Sequence, residues 1–452
     1  MSEGFQANLS QRAREVLNRN RRGDWTCPSN GIYAHQWLWD SCFVAIGLAG
    51  SDPQRAAGEL RALFRGQWTN GMLPHMVFAD GVRDLGSRRI WKSSKNPQAP
   101  PGVETSCITQ PPLAAIAVSN VAEHMSIEER RAFLSELFPK LVQYHQWLYR
   151  ERDLERTGLV TLIHPWECGL DTTPPWMQEL SRMVGPWWMR VTVKLRLAKL
   201  VRFLRTDTRF APAAQRPSDD DGLRMLVLAR QASRYGFELR RMPPRRSVLI
   251  EDLAFNALLV VANRSLTHMA GKLDLSVDAE LASCFRRTEV ALDELWDGGT
   301  GQYYSRNAVS GQLIATPTIA TFLPLWTGTP SQTQTERLLA LLHQPTFWPA
   351  FPVPSVPTDA PEFEPDRYWK GPTWINMNWA IIQGLATCGE IDLADDLRDR
   401  TLQLIDRTGF SEYFSPLTGS GFGAHEFSWT AALALDLIER SLRSNEDHRV
   451  QR

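Results

Sequence analysis

Thr373-Trp-Ile-Asn-Met-Asn-Trp-Ala-Ile-Ile-Gln-Gly-Leu-Ala-Thr387, then Cys388-Gly-Glu390, then Ile391-Asp-Leu-Ala-Asp-Asp-Leu-Arg-Asp-Arg-Thr-Leu-Gln-Leu-Ile-Asp-Arg407 reads as a helix hairpin. Gly389 suits a helix C-terminal cap, because a left-handed residue there carries no Cβ penalty. Leu393, Leu397, Leu404 and Ile405 give the second helix its apolar stripe. The same pattern recurs along the chain. Helices are expected over 3–20, 38–49, 53–66, 111–124, 177–206, 222–235, 251–265, 276–296, 331–343 and 426–443. Ser126-Ile-Glu-Glu129 and Ser331-Gln-Thr-Gln334 are capping boxes. Pro139 is expected to end the helix that Ser126 starts and to open another.

Strand signal is sparse, limited to pieces such as 303–305 after the turn Asp297–Gly301. No sequence repeat of 30 to 45 residues stands out, and strands do not alternate with helices as a parallel sheet requires. The expectation is an all-α chain forming one catalytic domain over residues 1–452. A closed toroid of helix hairpins fits the helix count, as does an α-solenoid. Long connections near 67–110, 161–180, 208–249 and 345–372 are expected to form the pocket or a small cap, since long loops in compact domains usually carry function.

The 452 residues hold 50 Lys plus Arg and 50 Asp plus Glu. That balance gives no support to a nucleic-acid groove or a polybasic membrane surface. No apolar run is long enough to span a bilayer. The N-terminal MSEGFQANLSQRAREVLNRNRR lacks the apolar core of a signal peptide, so a cytoplasmic location is expected. The six cysteines form no CxxC pair and read as free thiols. No His or Cys spacing fits a metal, no Gly-rich phosphate loop appears, and the GxSxG elbow is absent. No metal or cofactor is therefore expected. Seventeen Trp imply a large core or a stacking surface, and the apolar faces of sugar rings stack on indole.

Four segments stand out. Tyr33-Ala-His-Gln-Trp-Leu-Trp-Asp40 puts two indoles and a carboxylate near a helix start. Trp37 and Trp39 would point about 200° apart on a helix, so both face one site only if the helix has not begun. His164-Pro-Trp-Glu-Cys-Gly-Leu-Asp-Thr-Thr-Pro-Pro-Trp176 sets Asp171 on a stiff, aromatic loop. Burial against indole raises a carboxyl pKa and suits a general acid. Arg367-Tyr-Trp-Lys-Gly-Pro-Thr-Trp374 is the third segment. The fourth, Phe422-Gly-Ala-His-Glu-Phe-Ser-Trp429, places Glu426 at a helix N-terminus. Two distant carboxylates on aromatic, Gly-bearing loops are the minimal machinery of a glycosidase. Read alone, Asp40 equally caps a helix beginning at 41. Asp171 alternatively holds a turn, and a lone Glu426 is more simply a first-turn acid favoured by the helix dipole.

QWLWDSCF, TSCITQPP, RYWKGPTWIN and EFSWTAAL together resemble glycoside hydrolase family 63. The similarity is to its short bacterial branch of glucosylglycerate and mannosylglycerate hydrolases, and runs from Tyr33 to Leu435. The resemblance implies an (α/α)6 barrel and an inverting, metal-free α-glycosidase with an exo-acting site for a small soluble sugar substrate. It implies Asp171 as general acid and Glu426 as general base. Tyr33, Trp37, Trp39, Asp40, Trp176, Tyr368, Trp369, Gly371 and Trp374 are then expected to hold substrate. Gln110 and Arg224 are expected at the glycerate. The resemblance leaves open whether the chain pairs into a homo-oligomer.

Departures sit at the aglycone side. Cys168, Thr172 and Met177 replace the Ser, Asn and Asp usual in the acid loop. Asp221-Gly-Leu-Arg-Met-Leu226 lacks two tyrosines common at that place. An α-glucosidase for another disaccharide or an oligosaccharide end is the alternative, as is a sugar-binding pseudoenzyme.

Overall fold

A computed structural model describes residues 3–82, 84–183 and 211–450, with residues 186, 189 and 192 singly between. In chain order the helices begin with α1 Glu3–Arg19, α2 Leu38–Ala49, α3 Pro53–Phe64, α4 Leu85–Trp91 and α5 Ala114–Glu123. They continue with α6 Ile127–Arg152, α7 Pro174–Arg182, α8 Asp219–Arg234, α9 Leu253–Lys272 and α10 Ala279–Leu292. The last are α11 Pro324–Thr327, α12 Gln332–Leu342, α13 Ile375–Thr387, α14 Ile391–Thr408 and α15 Ser428–Val450.

Six of these close a ring. α2 packs on α5, α5 on α9, α9 on α11, α11 on α13, α13 on α15, and α15 back on α2. Each inner helix takes an outer partner: α3 on α2, α6 on α5, α10 on α9 and α14 on α13, while α1 covers α15. The short α11 is extended by the 3-10 turn Ile319–Phe322, against which α12 packs. This is the (α/α)6 barrel.

Composition explains the layers. α2 is buried from Leu38 to Ala49, whereas α14 buries one stripe including Ala394, Leu397, Leu404 and Ile405. A helix apolar all round belongs inside and an amphipathic one outside. Between α13 and α14, Gly389 takes φ +87 and the Glu390 N–H returns to Leu385 O at 2.9 Å, closing the cap. Both capping boxes form, at Ser126 and at Ser331.

One expectation changes. Pro139 does not divide its helix, and α6 runs unbroken through it. Phe133, Leu134, Leu137, Phe138, Leu141 and Tyr144 are buried on both sides of the proline, and that packing outweighs the hydrogen bond lost. The helix expected over 177–206 is described as α7 only to Arg182. Most of the remaining span, 184–206, lies outside the described residues.

Strands are two residues long. The expected piece appears as Gln302–Tyr303, paired with Trp296–Asp297. Gln36–Trp37 pairs antiparallel with Met76–Val77. Ile250–Glu251 lies between Thr161–Leu162 and Arg306–Asn307. α4 and α7 both pack on α8, so the long connections carry helices of their own beside the ring. No helix among the described residues is long and apolar enough to cross a membrane.

Candidate active site

The first turns of α2, α13 and α15 meet at one end of the ring. Trp39 lies edge-on to Trp429 at 5.3 Å, and Trp374 to Trp429 at 5.8 Å. The loops preceding these helices and the loop 161–176 gather there.

The acid loop is pinned along its length. Thr161–Leu162 is held by the ladder to Ile250–Glu251. Glu167 is fully buried and accepts from Arg152 at 3.0 and 2.7 Å and from the Ile163 N–H at 2.7 Å. The Cys168 thiol donates to Pro165 O at 3.0 Å, a bond the usual Ser would also make. Gly169 has φ +76, and a Cβ there would lie 2.6 Å from the Trp39 ring. Trp176 is buried and donates to Asp252 Oδ2 at 3.0 Å, while Asp252 also caps α9. Asp171 is thereby held at a partly exposed position. Tyr368 Oη donates to its Oδ2 at 3.4 Å. Burial pushes the Asp171 carboxyl up to about 8, against the lowering pull of Arg216.

Glu426 does not join this cluster. The Glu426 side chain is 54% exposed and pairs with Arg19 at 3.1 Å. Its backbone is left-handed, φ +53, and its carbonyl accepts from Asn20. The acid that reaches the site is Glu412, in the same long loop and 1% exposed. It accepts from Tyr33 Oη at 2.8 Å, from Arg216 Nη1 at 3.2 and 3.1 Å, and from the Ala424 N–H at 2.8 Å. Gly423 gives it room, since a Cβ there would collide with Glu412 Oε2. A sequence signal existed: Phe410-Ser-Glu-Tyr-Phe414 leads into a Gly-rich hairpin, Tyr413–Phe414 against Gly421–Phe422.

The cation also moves. Arg224 donates from α8 to Leu180 O at 3.1 Å and closes the end of α7. Arg216 enters the site instead, buried, 4.5 Å over the Tyr368 ring and 2.6 Å from Tyr33 Oη. Asp40 is buried in the first turn of α2, which starts at Leu38, so it does not cap that helix. Burial, then the nearby Glu412, pushes its carboxyl well above the usual range. Trp37 precedes the helix, as the spacing argument required, and is partly exposed, edge-on to Tyr33 at 5.8 Å.

Other expected contacts are buried supports. Trp369 and Trp374 are fully buried and stack at 3.7 Å and 2°. Trp374 Nε1 donates to Tyr368 O at 3.1 Å and braces its φ of +38. Trp39 and Trp176 are likewise enclosed. Gln110 accepts from the Trp39 N–H at 3.3 Å. Gly371 lies so near Glu364 that a Cβ would meet Glu364 O at 2.6 Å. Asp171, Glu412, Arg216, Tyr33 and Tyr368, with Asp40 beside them, form the constellation. The Asp171 carboxyl is pushed up to about 8, while Glu412 accepts from a phenol, a guanidinium and a backbone N–H, a combination suited to acid–base chemistry. Among the described residues no group of His, Cys, Asp and Glu could hold a metal ion.

Known proteins of the same fold identify the family. Residues 33–430 match the family described as mannosylglycerate hydrolase MGH1-like glycoside hydrolase domain. A mannosylglycerate hydrolase of Thermus thermophilus is 41% identical, over 94% of this chain and 99% of its own length. A glucosylglycerate hydrolase of Mycolicibacterium hassiacum is 33% identical, over 95% of this chain and 97% of its own. The crystal structure of a family 63 mannosylglycerate hydrolase from Thermus thermophilus, in complex with Tris and D-glycerate, superposes with a TM-score of 0.85. It is 39% identical over 95% of this chain and 99% of that one. With a family match over residues 33–430 on an (α/α)6 ring, the chain belongs to the mannosylglycerate hydrolase-like glycoside hydrolases of family 63.

Proposed function

We propose that this glycoside hydrolase cleaves a small α-glycoside of glycerate, mannosylglycerate or glucosylglycerate, with inversion. Asp171 is the general acid that protonates the glycosidic oxygen. Glu412 is the base that takes a proton from the attacking water. The observation carrying this reading is the pairing of Asp171, whose carboxyl burial pushes up to about 8, with a buried Glu412 that accepts from Tyr33, Arg216 and the Ala424 N–H. Asp40, Tyr33, Trp37 and Tyr368 hold the sugar, and Arg216 supplies the site's cation in place of Arg224. The relatives named for the two glycerate substrates support the aglycone. α4, α7 and α8 form the cap, and Gln215–Arg216 reaches from it to the barrel: Gln215 O accepts the Tyr368 N–H at 3.2 Å and the Tyr413 hydroxyl. The six unpaired cysteines suit a reducing cytoplasm.

Incubation with mannosylglycerate, glucosylglycerate, trehalose, kojibiose and nigerose, followed by proton NMR from the first minutes, tests the reading. A glycerate glycoside should be consumed and the β-sugar released first. Release of the α-sugar first removes the inverting mechanism, and a panel left intact removes the substrate assignment.

A further inference from the structure

We infer that Glu59, on the outer helix α3, is a positioning residue that fixes the sugar-holding segment Gln36–Ser41 from behind. The inference rests on the proposal that Trp37 and Asp40 hold the sugar. Glu59 is a buried acid that the reaction does not use. It is 1% exposed, and a carboxyl so enclosed must find donors inside the protein.

Those donors come from the two ends of one short stretch. Ser41 Oγ donates to Glu59 Oε1 at 2.5 Å, and Gln36 Nε2 donates to it at 3.4 Å. Gln36 Nε2 also reaches Ser41 Oγ at 3.0 Å and the Glu59 carbonyl at 3.3 Å. Gln36 and Ser41 are buried as well. Between them lie Trp37, Leu38, Trp39 and Asp40, where the chain passes from strand to helix. Trp37 is the N-cap of α2 and makes no side-chain cap bond. The usual local anchor of a helix start is therefore missing, and the bridge from Glu59 ties this one down from the neighbouring helix.

The bracketed stretch presents the sugar contacts. Trp37 lies partly exposed beside Tyr33, and Asp40 points from the first turn of α2. Trp39 fills the space against Gly169 in the acid loop. A shift of the stretch moves the sugar contacts directly and the acid loop through Trp39. Arg216 is carried by the cap instead, and is bonded to Glu412 and to Tyr33 upstream of the bracket. Loss of the Glu59 bridge therefore weakens the sugar side and spares the glycerate side.

Glu59→Met keeps much of the volume and removes both oxygens. Glu59→Gln keeps an acceptor for Ser41 and is the conservative control. Ligand-observed NMR titration with D-mannose, D-glucose and D-glycerate, each alone, would be set beside kcat on the glycoside the wild type consumes. Glu59→Met is expected to bind the hexose about tenfold more weakly and to lose kcat by about tenfold or more through the displaced acid loop. It should bind D-glycerate as the wild type does, and Glu59→Gln should restore both losses. Ser41→Ala removes one donor, should shift the same two quantities in the same direction, and carries the test if Glu59→Met fails to fold. Unchanged hexose binding in a folded variant overturns the inference. So does an equal loss of hexose and glycerate binding, which marks damage to the fold at large. A wild type that binds neither hexose and cleaves no glycerate glycoside overturns the functional reading, and this inference with it.

Discussion

The Asp171 carboxyl is pushed up to about 8 because desolvation in its loop outweighs the lowering pull of Arg216. The sign of the pH dependence follows. A general acid works while protonated, and its pKa is near 8, so kcat/KM should hold at neutral pH and fall as pH rises through about 8. A profile flat to pH 10 would remove Asp171 as the acid. Gly169 is the tightest point of that loop: φ is +76 and the Trp39 ring occupies the space of a Cβ. Gly169→Ala should cost about 1–3 kcal/mol, read as a lower Tm, and lower kcat by displacing the acid. The stiff loop that carries Asp171 was legible in the sequence from Gly169, Pro174 and Pro175. Glu412 was not. Its loop holds two acids, and the local argument, a carboxylate at a helix N-terminus, favours Glu426. What buries Glu412 is remote: Arg216, Tyr33 and the missing side chain at Gly423.

α6 shows what an element adds. Because it continues through Pro139, Arg152 at its last turn arrives beneath the acid loop and meets Glu167, the two being 1% and 0% exposed. A buried charge stripped of its partner costs about 3–5 kcal/mol. Arg152→Met should lower stability by that order in chemical denaturation, and a loss under about 1 kcal/mol would mean Glu167 is held by its backbone donors alone. Boundaries set by nearest neighbours were readable: the capping boxes at Ser126 and Ser331, and the cap at Gly389. The continuity of α6 was not, because burial on both sides of Pro139 decides it. The two-residue ladders carry too few residues to show alternation, yet one of them ties Thr161 to Glu251 and so anchors the acid loop.

At the scale of the molecule, closure of the ring by α15 on α2 brings the first turns of inner helices to one end. Helix count alone fitted a solenoid and a toroid, and the missing sequence repeat disfavoured the solenoid. Contacts between residues hundreds of positions apart separate them, such as Trp39 with Trp429. Family resemblance supplied that closure where spacing did not. The barrel needs no covalent staple: all six cysteines are unpaired, five of them buried. Tm should be the same with and without dithiothreitol, and a drop on reduction would reveal a disulfide.

The central claim is that Asp171 works with Glu412 and not with Glu426. Steady-state kcat of Glu412→Gln and Glu426→Gln on whichever glycerate glycoside the wild type consumes tests it most directly. Glu412→Gln should fall by about 10²–10⁴-fold, the range for loss of a general base, and Glu426→Gln should change within a few fold. The reverse pattern, an active Glu412→Gln beside an inactive Glu426→Gln, would contradict it.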